Sequence, residues 1–316
     1  MTTKEQEILA GLYKIRDNLT SYTDYERLWA ELTELVPEVP IIRYQFKNTP
    51  GEFQQGPYAP NWIYRAMPVK SGGKRWDREG EISYLPKDLL HLSTSFGRGH
   101  KPGDRAFYGS LNPYSACTET YTSGSNYERV VKQGETMECV VGVWKTIKPI
   151  CFGLLPYAEE SVLKFFNDDR IKVLNLHKVK PEHVIKEAAR NKDMIKNEFK
   201  IKVLEFFSEA FALQGNEQFK LSAFYANSLL GIAAPNQRFA DSAGNPVQCF
   251  EGILYNAVPS SYQERNVLML PDIVDEKLQF SHAMLFTITH GRDGHTTFNP
   301  VQQKIFPKDG VLPWRP

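Results

Sequence analysis

The feature that most constrains this chain is the abrupt change of period at Asn112-Pro113. Ala106 to Leu111 is a short apolar and aromatic run that reads as a buried strand, and the Asn-Pro pair ends it and opens a helix over Tyr114 to Tyr121. The surrounding stretch, SFGRGHKPGDRAFYGSLNPYSACTET from Ser95 to Thr120, therefore brings a loop, a strand and a helix together. The loop carries the guanidinium of Arg98, the strand the phenol of Tyr108 and the helix the carboxylate of Glu119.

Those three groups suit a nucleotide whose glycosidic bond has to be loosened. A guanidinium grips phosphate oxygens with a planar fork, each charge-assisted bond contributing roughly 1.5–3 kcal/mol. A tyrosine offers a stacking face and a hydroxyl. A glutamate can bond a ribose hydroxyl and stabilise positive charge growing on the sugar, as carboxylates do at oxocarbenium-like transition states. Each residue also has an ordinary structural role: a solvated loop arginine, an inward-facing strand aromatic, and a carboxylate near the first turns of a helix, favoured by the dipole. In a dry pocket the Glu119 pKa should rise from desolvation, opposed by Arg98.

The rest of the chain reads as α+β. Thr3-x-x-Gln6 and Thr23-x-x-Glu26 are capping-box patterns ahead of apolar residues at helical spacing, which predicts a helical pair over residues 1 to 37 laid against the core. Pro37 to Pro60 is rich in Pro, Gly and Gln and reads as a surface loop. Trp62 to Val69 is the first strand expected of the main domain and contains Arg65, while Lys70 to Leu92 is a polar excursion. Strands are expected at Met137 to Thr146, Pro149 to Leu155, Gln248 to Tyr255, Asn266 to Leu270 and Leu278 to Thr289. Helices are expected at Glu159 to Phe166, Pro181 to Arg190, Asp193 to Leu213 and Glu217 to Ile232. The predicted organisation is an N-terminal helical extension and loop over 1–60, a catalytic domain over 61–289 with a helical insertion near 158–213, and a surface tail over 290–316.

Composition narrows the function classes. With 41% hydrophobic and 24% charged residues, 316 residues can bury a sizeable core. A net charge of +1 gives no support to a direct nucleic-acid surface. No apolar run approaches membrane-spanning length, and the polar N-terminus lacks the basic start and apolar run of a signal peptide. Cys117, Cys139, Cys151 and Cys249 are scattered without a C-x-x-C pair, so reduced thiols in a cytoplasm are expected. Gly97-x-Gly99-x-x-x-Gly103 misses the dinucleotide fingerprint by one residue and precedes a strand where that fingerprint needs a helix. No Walker A, H-E-x-x-H or G-x-S-x-G pattern is present, and the Gly-rich loop between His290 and His295 is a poor cage, so no metal is expected.

Gly97-Arg98-Gly99, Gly103, Phe107-Tyr108-Gly109-Ser110 and Ala116-x-x-Glu119 resemble the opening motif of the RES-domain family, with steps of ten residues from Arg to Tyr and eleven from Tyr to Glu. Phe250-Glu251-Gly252-Ile253-Leu254-Tyr255, followed by Asn266-Val267 and Leu270-Pro271, is similar to its closing motif. The resemblance spans about Trp62 to Pro271 and departs from the pattern twice. Ala257 stands where the family has its serine, with Ser260 and Ser261 nearby as substitutes, and His100 stands where the family usually has Asn, more a loop histidine than a base.

The resemblance implies an ADP-ribosyltransferase-like split mixed sheet clasping NAD, and an enzyme that cleaves the nicotinamide–ribose bond by hydrolysis or phosphorolysis. In that frame Arg98, aided by Arg65, holds the pyrophosphate, Tyr108 stacks on or bonds to the nicotinamide riboside end, and Glu119 anchors the ribose. Ser260, Ser261 and Asn266 complete the nucleotide-binding set; restoring Ala257→Ser raises turnover if the missing hydroxyl matters, and leaves it unchanged if Ser260, Ser261 or a water already serves. Many such domains are toxins paired with a helix-turn-helix antitoxin that plugs the cleft. The alternatives are ADP-ribosyl transfer to a protein and a catalytically weak nucleotide-binding or interaction module.

Overall fold

A computed structural model describes residues 1–46, 62–69, 73, 75–123, 128–129, 134–156, 159, 162–163, 167, 182–186, 195–212, 216–230, 239–240, 246–247, 250–257, 264–291 and 296–314. Its strands are β1 (Ile42–Phe46), β2 (Trp62–Pro68), β3 (Phe107–Ser110), β4 (Thr122–Ser123), β5 (Glu128–Arg129), β6 (Thr136–Thr146), β7 (Ile150–Leu154), β8 (Phe239–Ala240), β9 (Pro246–Val247), β10 (Gly252–Asn256), β11 (Arg265–Met269), β12 (Leu278–His290) and β13 (Thr296–Ile305). The α-helices with defined bounds are α1 (Thr3–Asp17), α2 (Tyr25–Leu35), α3 (Pro113–Tyr121), α4 (Glu198–Ala212), α5 (Asn216–Leu230) and α6 (Pro271–Lys277).

Nine strands form one mixed sheet in the order β1-β7-β10-β11-β3-β2-β6-β12-β13, while β4/β5 and β8/β9 are separate two-stranded pairs. Among the described residues, β7 and β10 are the one parallel pair of the large sheet. The longest strands, β6 and β12, pair along almost their whole length, from Leu278↔Thr146 to Thr289↔Thr136. The seam between β2 and β3 is different in kind. A single residue pair, Tyr64↔Ser110, joins them, so the sheet is close to splitting there.

Helices α1, α2, α4 and α5 share the main apolar core with β7, β10 and β11, through residues such as Leu12, Leu28, Phe207, Phe224, Ile253 and Val267. A smaller cluster lies under α3, where Cys117 packs with Cys139 and Val141 of β6 and with Tyr64 and Ala66 of β2. A third cluster closes the other face around Ile82, Val140 and Leu285. Among the described residues no helix is long and apolar enough to cross a membrane.

Several expectations need correction. The caps fall one residue away from the predicted positions: Thr2 forms the first capping box with Glu5, and Asp24 caps the second helix by accepting from the Glu26 amide at 2.9 Å. A short polar side chain at the residue before the first helical one satisfies an orphan N–H, and both positions offered neighbouring candidates. The loop expected over 37–60 contains β1, which extends the sheet beside β7, and the tail expected over 290–316 contains β13. The latter is a largely exposed edge strand with Pro300 in it, a composition that suits only an edge and therefore reads as loop. The helix expected from Asp193 begins at Glu198. Most of the helices expected at Glu159 to Phe166 and Pro181 to Arg190 lies outside the described residues.

Candidate functional site

The β2/β3 seam opens into a cavity of about 310 Å³, lined by residues of β2, β3, β10, β11, α3 and the Gly97-Arg98 loop. Its floor follows from strand register. Tyr255 lies opposite Asn266, Asn266 opposite Ser110, and Ser110 opposite Tyr64, so one residue from each of four neighbouring strands forms a row across the sheet. Directly opposed residues of antiparallel strands point to the same face, and all four line the cavity.

The wall comes from α3. Asn112 ends β3 and caps the helix, its Oδ1 accepting from the Tyr114 amide at 2.8 Å and the Ser115 amide at 3.4 Å. Ala116, Glu119 and Thr120 then occupy one face of the helix and line the hollow. Glu119 lies in the last turn of α3, where the dipole opposes a carboxylate, so the expected first-turn stabilisation does not apply. Asn266 holds it instead, donating from Nδ2 to Glu119 Oε1 at 2.6 Å. Desolvation pushes the Glu119 pKa above the usual carboxylate range, opposed by the Arg98 charge and by the Asn266 hydrogen bond.

Arg65 reaches the seam from β2. Its Nη1 donates to the Tyr108 carbonyl at 2.8 Å and its guanidinium lies over the Phe107 ring. Burial lowers its pKa to about 10, partly offset by Tyr108 and Tyr255. Two covered polar atoms on the wall, Arg65 Nε and Asn266 Oδ1, have no hydrogen-bond partner among the described residues. One is a donor and the other an acceptor, so each can bond a water or a ligand that enters the cavity.

Arg98 also lines the cavity, but Nη1 donates to the Phe211 carbonyl at the end of α4 and its guanidinium lies 5.2 Å over Phe219 of α5. The loop is thus tied to the two helices that cover the Tyr255 end of the row. Gly97 permits this approach, since a Cβ there would lie 2.1 Å from His100 Cε1 and 2.9 Å from Tyr108 Oη. Tyr108 lines the hollow with its ring, while its hydroxyl accepts from the Gly99 amide at 3.0 Å and meets His100 Nδ1 at 2.6 Å. Burial raises the phenol pKa and lowers that of the imidazole. Both groups are therefore neutral at neutral pH, and we assign the Tyr108 proton to the bond with Nδ1.

The structure thus gathers Arg65, Arg98, Tyr108, Glu119 and Asn266 around one cavity, while Ser260 and Ser261 lie outside the described residues. Ala257 is fully buried and is not on the cavity wall. Sequence reasoning assigned no role to Tyr255, Tyr64 and Ser110; only strand register places them together. A larger hollow beside Tyr84 and Arg105 is less suited to chemistry: its Asp275 accepts the Tyr84 hydroxyl at 2.5 Å and its Arg105 lies over the Tyr84 ring. Among the described residues no group of three or more His, Cys, Asp or Glu could hold a metal ion. Comparison with protein-family models, curated proteins and solved structures found no match to this chain.

Proposed function

We propose that the protein cleaves the nicotinamide–ribose bond of NAD, as a hydrolase or a phosphorylase on an ADP-ribosyltransferase-like split sheet. The observation that carries this reading is the Asn266-held carboxylate of Glu119, facing a cavity at the split seam that two arginines also line. Asn266 takes Oε1, and among the described residues Oε2 has no hydrogen-bond partner, which leaves it available to a ribose hydroxyl. As the bond to nicotinamide lengthens, positive charge grows on the sugar, and a carboxylate already oriented at that point stabilises it without reorganising. Arg65 supplies the complementary charge for the pyrophosphate. The cavity is at the lower end of the ~300–1,000 Å³ usual for small-molecule sites, which suits the nicotinamide riboside half of the dinucleotide.

Incubation of the purified protein with NAD, with and without inorganic phosphate, followed by chromatography, tests the reading. Free nicotinamide with ADP-ribose marks hydrolysis, and a phosphorylated ADP-ribose marks phosphorolysis. Label transferred to protein replaces this reading with ADP-ribosyl transfer, and NAD recovered unchanged overturns it.

A further inference from the structure

We propose that Tyr255, rather than Tyr108, presents the phenol hydroxyl that touches the substrate, and that it grips the ribose cis-diol together with Glu119 Oε2. The inference rests on the reading of the site as an NAD-cleaving centre and adds a binding residue to it.

Three tyrosines line the cavity, and their hydroxyls differ in what they already do. Tyr108 Oη is engaged by the Gly99 amide and by His100, so it fastens the Gly97–Gly99 loop to β3 and offers the cavity its ring. Tyr64 stands at the α3 end of the row, packed with Ala66 and Cys117 and farther along the sheet from Asn266 than Tyr255 is. Tyr255 stands at the other end, next in the row to Asn266, the residue that orients Glu119. Only 3% of it is exposed, its ring rests against Phe211 at 5.0 Å, and among the described residues its hydroxyl has no hydrogen-bond partner.

An unpaired hydroxyl on so deeply buried a side chain, lining a cavity, calls for a partner from outside the chain. The Tyr255 hydroxyl also lies within electrostatic reach of Glu119, Arg98, Tyr108 and Arg65, which places it among the charged groups of the site. A hydroxyl that donates and accepts, beside a carboxylate oxygen that only accepts, matches two adjacent sugar hydroxyls: one donates a hydrogen bond to Glu119 Oε2 and the other donates to or accepts from Tyr255 Oη. A furanose cis-diol is therefore the feature selected.

The test compares wild type, Tyr255→Phe and Tyr108→Phe on NAD and on its two analogues lacking either the 2′- or the 3′-hydroxyl of the nicotinamide-side ribose. Wild type is expected to prefer NAD over both. Tyr255→Phe should lower kcat/KM for NAD about tenfold and abolish the preference over at least one analogue, with an unchanged melting temperature. Tyr108→Phe should melt at a lower temperature yet keep both preferences. Full retention of both preferences in Tyr255→Phe overturns the inference while NAD cleavage by wild type still stands. A wild-type protein that releases no nicotinamide from NAD overturns the functional reading, and this inference with it.

Discussion

Replacing Glu119 by glutamine removes the charge while keeping the shape, because Asn266 Nδ2 still finds a carbonyl oxygen where Oε1 stood 2.6 Å away. Two consequences of opposite sign follow. Loss of one preorganised charged group at a developing cation should lower kcat by about 10²–10³, the scale of losing a single oxyanion-hole donor. Folding stability should change in the other direction. Desolvation raises the folded-state pKa of Glu119 above its unfolded value, with Arg98 and Asn266 only partly opposing it. A carboxyl raised in this way contributes stability that is fully present below the unfolded pKa of about 4.3 and is lost as pH rises through the folded pKa. Glutamine suffers no such loss. Relative to wild type, the variant should therefore melt higher at pH 8 than at pH 4, while nicotinamide release nearly vanishes. Wild-type turnover in the variant would remove Glu119 from the chemistry. A larger relative loss of melting temperature at pH 8 than at pH 4 would show that its carboxylate is stabilised in the fold.

Other changes probe the surrounding frame. Gly97→Ala should destabilise by about 1–3 kcal/mol and lower turnover, since the added methyl would displace His100 and with it the Tyr108 hydroxyl; thermal melts and nicotinamide release measure both. Arg65→Lys should raise KM for NAD by roughly tenfold to a hundredfold, because one ammonium cannot hold the Tyr108 carbonyl and a phosphate with the planar fork of a guanidinium. An unchanged KM would remove Arg65 from the anion site. Ala257→Ser should leave turnover unraised, because position 257 is buried away from the cavity wall; a several-fold rise in steady-state nicotinamide release would restore the family serine to the site.

Local chemistry made much of this molecule legible from its residues. Asn112-Pro113 breaks a strand and suits the first turn of a helix, and β3 and α3 are found at Phe107–Ser110 and Pro113–Tyr121. The buried strands β6, β7, β10, β11 and β12 are apolar enough to announce themselves. The two sheet edges do not, because β1 lies in a stretch dominated by turn residues and β13 is polar over most of its length. For the site, the residue types at 98, 108 and 119 pointed to a nucleotide, and the family resemblance added position 266. Their individual roles did not follow: the Tyr108 hydroxyl is taken by His100, and Arg98 is fastened to Phe211.

What the sequence determined by itself is therefore the buried elements and the chemical groups they carry, since capping, turn geometry and apolar periodicity act within a few residues. Tertiary structure alone decided which of those groups face one another. The row of Tyr64, Ser110, Asn266 and Tyr255 exists because β3 and β11 lie side by side though about 150 residues separate them in the chain, and because two strands that meet at a single pair leave a gap between them. Pairing across such distances is set by the packing of the whole sheet, and no local spacing encodes it.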